Sequence, residues 1–218
     1  MGDALGDALH SRGVVDLYLE AGYFLTVGTK RFKKLEVGPY FYLLGFNPAE
    51  GVRTRIGVYT RTSFSKRMNF GGLMAYGFRD QRYKYQGEVR YRLRRKPKFE
   101  IGFLKAYEVG QAGFDDFLNS GTSLLQTALR RVPLTQLNYY AEHKLSVHRD
   151  MKRGFAGDFY FKHRTFEPAE TFDFGFARED GGLGTTYEVA EAGGELRGSF
   201  KEKYITSKAG DRVYLGTK

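Results

Sequence analysis

Long runs of alternating residues constrain this chain more than any other feature. Between residues 83 and 94 the odd positions hold Tyr, Tyr, Gly, Val, Tyr and Leu, and the even positions hold Lys, Gln, Glu, Arg, Arg and Arg. Residues 52–60 and 68–78 alternate in the same way, with Arg53, Arg55 and the next residue in phase, Arg61, on the polar side of the first run. A period of two is that of a β-strand with one polar and one apolar face. The sequence therefore predicts an all-β, antiparallel fold.

Less regular alternation predicts further strands along most of the chain. They cover residues 14–27, 35–46, 98–109, 134–148, 154–166, 171–177, 185–192, 195–204 and 212–217, with short turn-like segments between many of them. This spacing predicts an up-and-down arrangement of roughly 10–12 long strands. The segment 110–133 does not alternate, and its spaced leucines predict one short helix in a long loop. No linker divides the chain, so we expect a non-barrel N-terminal segment at 1–13 and one barrel domain at 14–218.

Strand length indicates the class of β protein. Strands in soluble proteins cluster near 5–6 residues, whereas a membrane-spanning strand needs about 9–11. The three regular runs have the longer length, and Tyr and Phe lie near the ends of their apolar faces, as in an aromatic girdle. Their other faces carry Arg and Lys in series, and an unpaired buried charge costs several kcal/mol. The sequence predicts a transmembrane β-barrel or incomplete barrel, with lipid outside and a polar lumen.

Several short motifs also resemble a known family. The motifs are Gly38-Pro39, Asn47, Glu50-Gly51 and Arg53/Arg55 within residues 35–62, then Phe64-Ser65-Lys66, the hairpin 75–80, Tyr83-Lys84-Tyr85, and Thr186-Tyr187-Glu188-Val189 followed by Leu196-Arg197. They resemble the barrel portion of the carboxypeptidase-regulatory-like domain-containing outer-membrane proteins. The resemblance extends over residues 23–218, and the segment from Asn47 to Arg55 is its most specific part.

The resemblance implies a barrel of unknown function in the outer membrane of Gram-negative bacteria. Members of that family carry a signal peptide and a periplasmic β-sandwich before the barrel, and they continue to a further terminal strand. Residues 1–13 have no signal-peptide pattern, and the chain stops within the run 212–218. We therefore expect a fragment of a barrel, truncated at its C-terminus and exported by a signal peptide absent from it. Its partners would be the lipid bilayer of the outer membrane, an anionic solute, or missing segments of the same chain.

The residues that carry common catalytic chemistry are not arranged for it. The chain has no cysteine, so disulfides, Cys-ligated zinc and thiol nucleophiles are excluded. His148-Arg149-Asp150 spells a kinase tripeptide, but no Gly-rich loop precedes it. His143 and His148 lie five apart and should point to opposite faces of a strand, and His163 is expected to lie alone. We expect no enzymatic activity, no catalytic or metal-binding residue and no cofactor.

One set of basic residues supports a binding hypothesis. This basic stripe consists of Arg53, Arg55, Arg61, Arg90, Arg92, Arg94, Lys162 and Arg164. It could form a positive lumen wall that selects anionic solutes or holds an acidic plug. The favoured interpretation is a salt-bridged lumen network with Glu88, Glu100, Glu142 and Asp158. The family-like turn Asn47, Glu50 and Gly51 is interpreted as a turn in which Gly51 supplies a positive φ.

The net charge leaves a second class open. The chain carries 35 Lys and Arg against 25 Asp and Glu, a formal charge of +10. Aromatic residues interleaved with cations would suit a soluble basic β-sheet protein that binds single-stranded nucleic acid. Strand length and the resemblance disfavour nucleic-acid binding. A third option is a lipocalin-like carrier closed around a small ligand, but such a carrier should have an apolar lumen, and the lumen expected here is charged. The expected function is a non-enzymatic outer-membrane barrel with a basic lumen, acting in transport, envelope biogenesis or surface structure.

Overall fold

The computed structural model is all-β in class, because strands make up most of the part of the chain that it describes. It describes residues 18, 28–38, 43–111, 137–151, 155–169, 176–177, 183–198, 202–206 and 212–217. The strands are β1 (Lys30–Arg31), β2 (Leu35–Val37), β3 (Leu44–Asn47), β4 (Gly51–Thr60), β5 (Met68–Gly77), β6 (Tyr83–Arg94), β7 (Phe99–Gln111), β8 (Leu137–Asp150), β9 (Phe155–Pro168), β10 (Phe176–Ala177), β11 (Leu183–Gly184), β12 (Tyr187–Gly198), β13 (Glu202–Thr206) and β14 (Arg212–Thr217). The helix predicted for 110–133 falls almost wholly outside these ranges.

One ten-stranded antiparallel sheet contains all the long strands. Its order is β1-β2-β4-β5-β6-β7-β8-β9-β12, and β3 pairs with β4 on the edge that β2 also uses. Strands β10 and β11 pair with each other, as do β13 and β14. From β4 to β9 each strand pairs with the next in sequence, which confirms the predicted up-and-down order. Among the described residues the sheet is not closed, because no pairing joins β1 to β12.

The strand prediction is wrong in two places. The run 35–46 was expected to be one strand, but it holds β2 and β3, with Gly38 and Leu43 outside either strand. The other place is the glycine pair in β12. Separate strands were expected at 185–192 and 195–204, whereas β12 runs without a break through Gly193 and Gly194 and pairs with β9 along its whole length. A Cβ atom at Gly193 would lie 2.5 Å from the ring of Tyr160, and one at Gly194 would lie 2.7 Å from the ring of Phe159. Both rings occupy the space over the glycines. The pair therefore accommodates aromatic neighbours and does not make a turn.

The register divides the sheet into two faces of opposite character. The apolar face includes Val52, Ile56, Val58, Met74, Tyr85, Val89, Tyr91, Phe103, Leu145, Phe159 and Phe161, all of them exposed. The polar face includes Arg53, Lys84, Glu100, Glu108, Glu142, Lys162 and Arg164, all of them buried. Successive side chains along each strand point to opposite faces of the sheet, as the sequence predicts.

The sheet is strongly curved at the end where β4 begins. Ala49, in the turn before β4, belongs to one buried apolar cluster with Val109 on β7, Leu137 and Tyr139 on β8, and Ala169 after β9. These residues form the small buried apolar core. The curvature brings β4 and β7 together although β5 and β6 lie between them in the sheet.

Candidate functional site

The turn between β3 and β4 places a carboxylate inside the curved end of the sheet. The backbone N–H of Glu50 donates to Asn47 Oδ1 at 2.8 Å, and Asn47 Nδ2 donates to Glu50 Oε2. Gly51 has a φ of 65°, in the left-handed region that favours glycine, as the sequence predicts. The Glu50 side chain is completely buried. The turn thus has a second role, because it directs Glu50 towards the polar face.

Five charged side chains meet there and form what we term the ion-pair cluster: Glu50, Arg53, Asp80, Lys84 and Glu108. Lys84 Nζ lies 2.7 Å from Glu50 Oε1 and 2.5 Å from Asp80 Oδ2. Arg53 contacts Glu50 Oε2 at 3.0 Å through Nη1 and Glu108 Oε2 at 2.5 Å through Nη2. The side chains of Lys84 and Glu50 are 0% exposed. Buried charges of this kind are stable only when paired, and here each cation bridges two carboxylates.

Asp80 connects the cluster to the β5–β6 turn. Its Oδ2 atom also accepts a hydrogen bond of 2.7 Å from the Tyr139 hydroxyl, and its Oδ1 accepts one of 3.3 Å from the Arg82 backbone N–H. Burial alone would raise the pKa of Asp80, but the hydrogen bonds from Lys84 and Tyr139 outweigh it and hold the pKa below its ordinary value. The carboxylate is therefore ionised at neutral pH.

Sequence reasoning did not find most of this cluster. It singled out Arg53 and Glu50 but gave them separate roles, and it did not name Asp80, Lys84 or Glu108 as site residues. Their proximity depends on the curvature that brings β4 to β7, which no local pattern reports. One signal was present, since Lys84 stands on the polar side of a regular strand next to a turn that contains Asp80.

The rest of the basic stripe is divided between ion pairs and strand ends. Arg92 Nη2 lies 3.0 Å from Glu100, Lys162 Nζ lies 3.0 Å from Glu191, Arg90 Nε lies 2.6 Å from Glu88, and Arg164 pairs with Glu142. Arg55 lies half-buried on the polar face. Arg61 and Arg94 lie at strand ends, where Arg61 donates to the Phe32 carbonyl at 2.8 Å. The stripe is not one continuous bare cationic wall.

The four carboxylates expected as counter-charges all have a partner. Glu88, Glu100 and Glu142 pair with arginines of the stripe, whereas Asp158 lies 2.7 Å from His148 Nδ1. Along the polar face of the long strands the cations and carboxylates nearly match in number. The cations are Arg53, Arg55, Lys84, Arg90, Arg92, Lys144, Lys162, Arg164 and Arg197, and the carboxylates are Glu88, Glu100, Glu108, Glu142, Asp150, Asp158, Glu191 and Glu195.

The histidines are placed as predicted in one respect and differently in another. His143 pairs in register with His163, and His148 with Asp158, so His143 and His148 lie on opposite faces as expected. The expectation that His163 lies alone is wrong, because the β8–β9 register sets it directly opposite His143. Among the described residues no group of three or more His, Asp or Glu side chains could hold a metal ion.

The aromatic and basic residues of β6 are on different faces. Tyr83, Tyr85 and Tyr91 belong to the apolar face, while Lys84 and the neighbouring arginines of the strand belong to the polar one. A single-strand stacking platform needs rings and cations on the same surface. This geometry therefore does not favour the nucleic-acid hypothesis.

Comparison with known proteins gives no further guide to the class. No protein-family model, no curated protein and no solved structure matches the chain. Within the described ranges, no helix is both long and apolar enough to cross a membrane. The resemblance to the outer-membrane barrel family remains a prediction.

Proposed function

We propose that the chain is a non-enzymatic membrane β-barrel protein of the Gram-negative outer membrane, or a large part of one. Its apolar face would contact lipid and its polar face would line the interior. The resemblance of residues 23–218 to outer-membrane barrels adds support. The observation that carries the proposal is the inverted polarity of the sheet, in which charged side chains are buried and large apolar side chains are exposed.

The extent of the exposed apolar surface supports a lipid environment. Ile56, Met74, Phe159 and Phe161 are each more than half exposed, and they belong to strands of 10 to 14 residues. Soluble monomers rarely expose contiguous apolar patches larger than a few hundred Å². Strands of this length also span the hydrocarbon core when tilted, which needs about 9–11 residues.

The apolar residues form a band that crosses the strands obliquely. On β4 the band is centred near Ile56, and on β9 it is centred near Phe159. The residues paired in succession with Ile56 across the sheet are Met74, Tyr85, Tyr107, Ala141 and finally Thr165 on β9. Thr165 lies six residues from Phe159, the centre of the band on that strand. The band has therefore moved by about six residues, or ~20 Å, over five strand spacings of about 4.8 Å each. The resulting angle of about 40° equals the usual strand tilt of membrane barrels, about 35–45°.

The polar face supports an interior held together by ion pairs. Its buried cations contact carboxylates on the same or neighbouring strands, and Arg53 contacts Glu108 three strands away. A strongly cationic pore would need unpaired positive side chains along its wall. We therefore assign the stripe to the salt-bridged network and not to selection of anionic solutes.

Substitutions on the two faces of β6 test the proposal. Val89→Arg places a charge on the apolar face and should reduce insertion into lipid vesicles by about 2–4 kcal/mol near the midplane. Gln86→Arg adds the same side chain to the polar face of the same strand, and Arg90→Gln removes one there. Both of these controls should insert almost as well as the unmodified chain. Insertion is measured by vesicle flotation and by heat-modifiable migration in detergent gels.

Two results would contradict the membrane proposal. One is equal tolerance of Arg at positions 89 and 86, because the two faces would then meet the same environment. The other is a monomeric product that stays in solution without detergent and does not float with vesicles.

A further inference from the structure

The turns at one end of the sheet carry a concentration of positive charge. Three of these turns, residues 32–34, 61–67 and 94–98, contain nine Lys and Arg and no Asp or Glu. Backbone hydrogen bonds hold them together at one end, since Arg61 N–H donates to the Lys34 carbonyl at 2.9 Å and Arg92 N–H donates to the Arg67 carbonyl at 2.7 Å. We term the exposed cations of these turns the basic rim: Lys33, Lys34, Lys66, Arg67, Arg94, Arg95 and Lys96.

The opposite end of the sheet is different. There the turn 48–50 ends in the buried carboxylate of Glu50, and the turn 78–82 carries Asp80 between Arg79 and Arg82. Arg82 lies 3.4 Å from Glu167 and 4.5 Å from the centre of the Tyr139 ring. The charged residues of these two turns are of both signs, and several of them form ion pairs. Among the turns that the structure describes, the surplus of positive charge therefore lies at the rim end of the strands.

Large apolar side chains lie directly beside the rim. Phe64 stands within the turn 61–67, Met68 begins β5, and Leu93 lies on β6 next to the third turn. All three are between 38% and 48% exposed. Cations bordered by exposed apolar side chains match the boundary between headgroups and hydrocarbon, where Lys and Arg meet phosphate and apolar groups meet the acyl chains.

We propose that the basic rim binds the phosphate headgroups of anionic phospholipids in the leaflet at that end of the protein. This rests on the membrane function proposed above. Each Lys or Arg close to an anionic lipid surface strengthens binding about fivefold. The turn between β6 and β7 is the densest part of the rim, with Arg94, Arg95 and Lys96 in succession.

Lipid selectivity in bilayers tests the assignment. The protein is reconstituted in phosphatidylcholine vesicles that contain either spin-labelled phosphatidylglycerol or spin-labelled phosphatidylcholine, and motionally restricted lipid is measured by electron paramagnetic resonance. For the unmodified chain, the motionally restricted lipid should show a several-fold preference for phosphatidylglycerol over phosphatidylcholine. The double variant Arg95→Gln/Lys96→Gln should lose at least half of that preference, and added salt should lower it in the unmodified chain.

A matched control carries the same change of charge elsewhere. Lys105→Gln/Lys144→Gln removes two cations in the middle of β7 and β8, one from each face, and should keep the preference of the unmodified chain. If the protein restricts the motion of phosphatidylcholine and shows no preference for phosphatidylglycerol, the rim assignment alone is overturned. No restricted signal from either lipid would overturn the membrane function, and with it the rim. Binding of a single-stranded oligonucleotide at the rim, with no lipid preference, would also overturn the assignment.

Discussion

Lys84→Met is the substitution expected to damage the fold most. Methionine keeps the length and apolar stem of lysine but removes the ammonium group from the centre of the ion-pair cluster. Glu50 would then retain only Arg53 as a cationic partner within the cluster, at 3.0 Å. Asp80 would retain the Tyr139 hydroxyl, at 2.7 Å. Neither carboxylate could be rehydrated without opening the turn, because the Glu50 side chain is 0% exposed and that of Asp80 is 4% exposed.

The magnitude follows from burial. Removing one partner of a buried ion pair costs about 3–5 kcal/mol, since an uncompensated charge stays in the interior. Lys84 contacts two carboxylates, so we expect the upper half of that range. The double variant Lys84→Met/Glu50→Gln removes one charge of each sign and should recover about 1–3 kcal/mol of the loss, because residues in one network are coupled.

Lys98→Met is the matched control. Lys98 also faces a carboxylate, but its Nζ lies 3.8 Å from Glu100 and its side chain is 19% exposed. A partly exposed pair of this kind contributes about 0–1 kcal/mol. The free energy of unfolding is measured by urea titration in detergent micelles, followed by circular dichroism. Equal losses for Lys84→Met and Lys98→Met would refute the reasoning, as would a double variant that is less stable than Lys84→Met alone.

Three further perturbations test other parts of the fold. Gly51→Ala should cost about 1–2 kcal/mol in urea titrations, because an L-residue is strained at its positive φ. Gly193→Ala should cost about 1–3 kcal/mol by forcing the Tyr160 ring away, whereas Gly87→Ala, with open space at its Cβ, should cost far less; equal costs would contradict the packing. The lowered pKa of Asp80 means that its contribution to stability is present above about pH 4 and is lost as the pH falls through the lowered value. Asp80→Asn should therefore flatten the acid side of the stability–pH curve, and an unchanged curve would exclude the effect.

Much of the sheet could be predicted because its determinants are local. The strand β6 has the bounds that its alternation gives, 83–94, and β4 and β5 differ from their predicted bounds by one residue at an end. Period-two patterning acts on consecutive residues, so it can be read without knowing the partner strand. Gly51 was predictable for the same reason, since a tight turn requires a positive φ from the residue itself.

The ion-pair cluster and the His143–His163 pair could not be predicted because they depend on register and curvature. A shift of one residue between β8 and β9 would set a different residue opposite His143. The contact between Arg53 and Glu108 requires the sheet to curve across three strand spacings. The continuity of β12 likewise depends on the rings of β9, whose positions over Gly193 and Gly194 are set by pairing between strands.

The slope of the apolar band across the strands determines the radius that the sheet would have if it closed. A displacement of about six residues over five strands is a shear slightly above one residue per strand. Because β2 and β3 share one position beside β4, the path across the sheet has nine strands. Closure of nine strands with this shear would give a cylinder of about 9 Å radius, measured to the backbone. That is only slightly wider than eight-stranded barrels, whose interiors side chains fill. In such a closed cylinder, long arginine, lysine and glutamate side chains on the polar face would meet across the axis. Widening its interior would then require ion pairs such as Arg53–Glu108 to open.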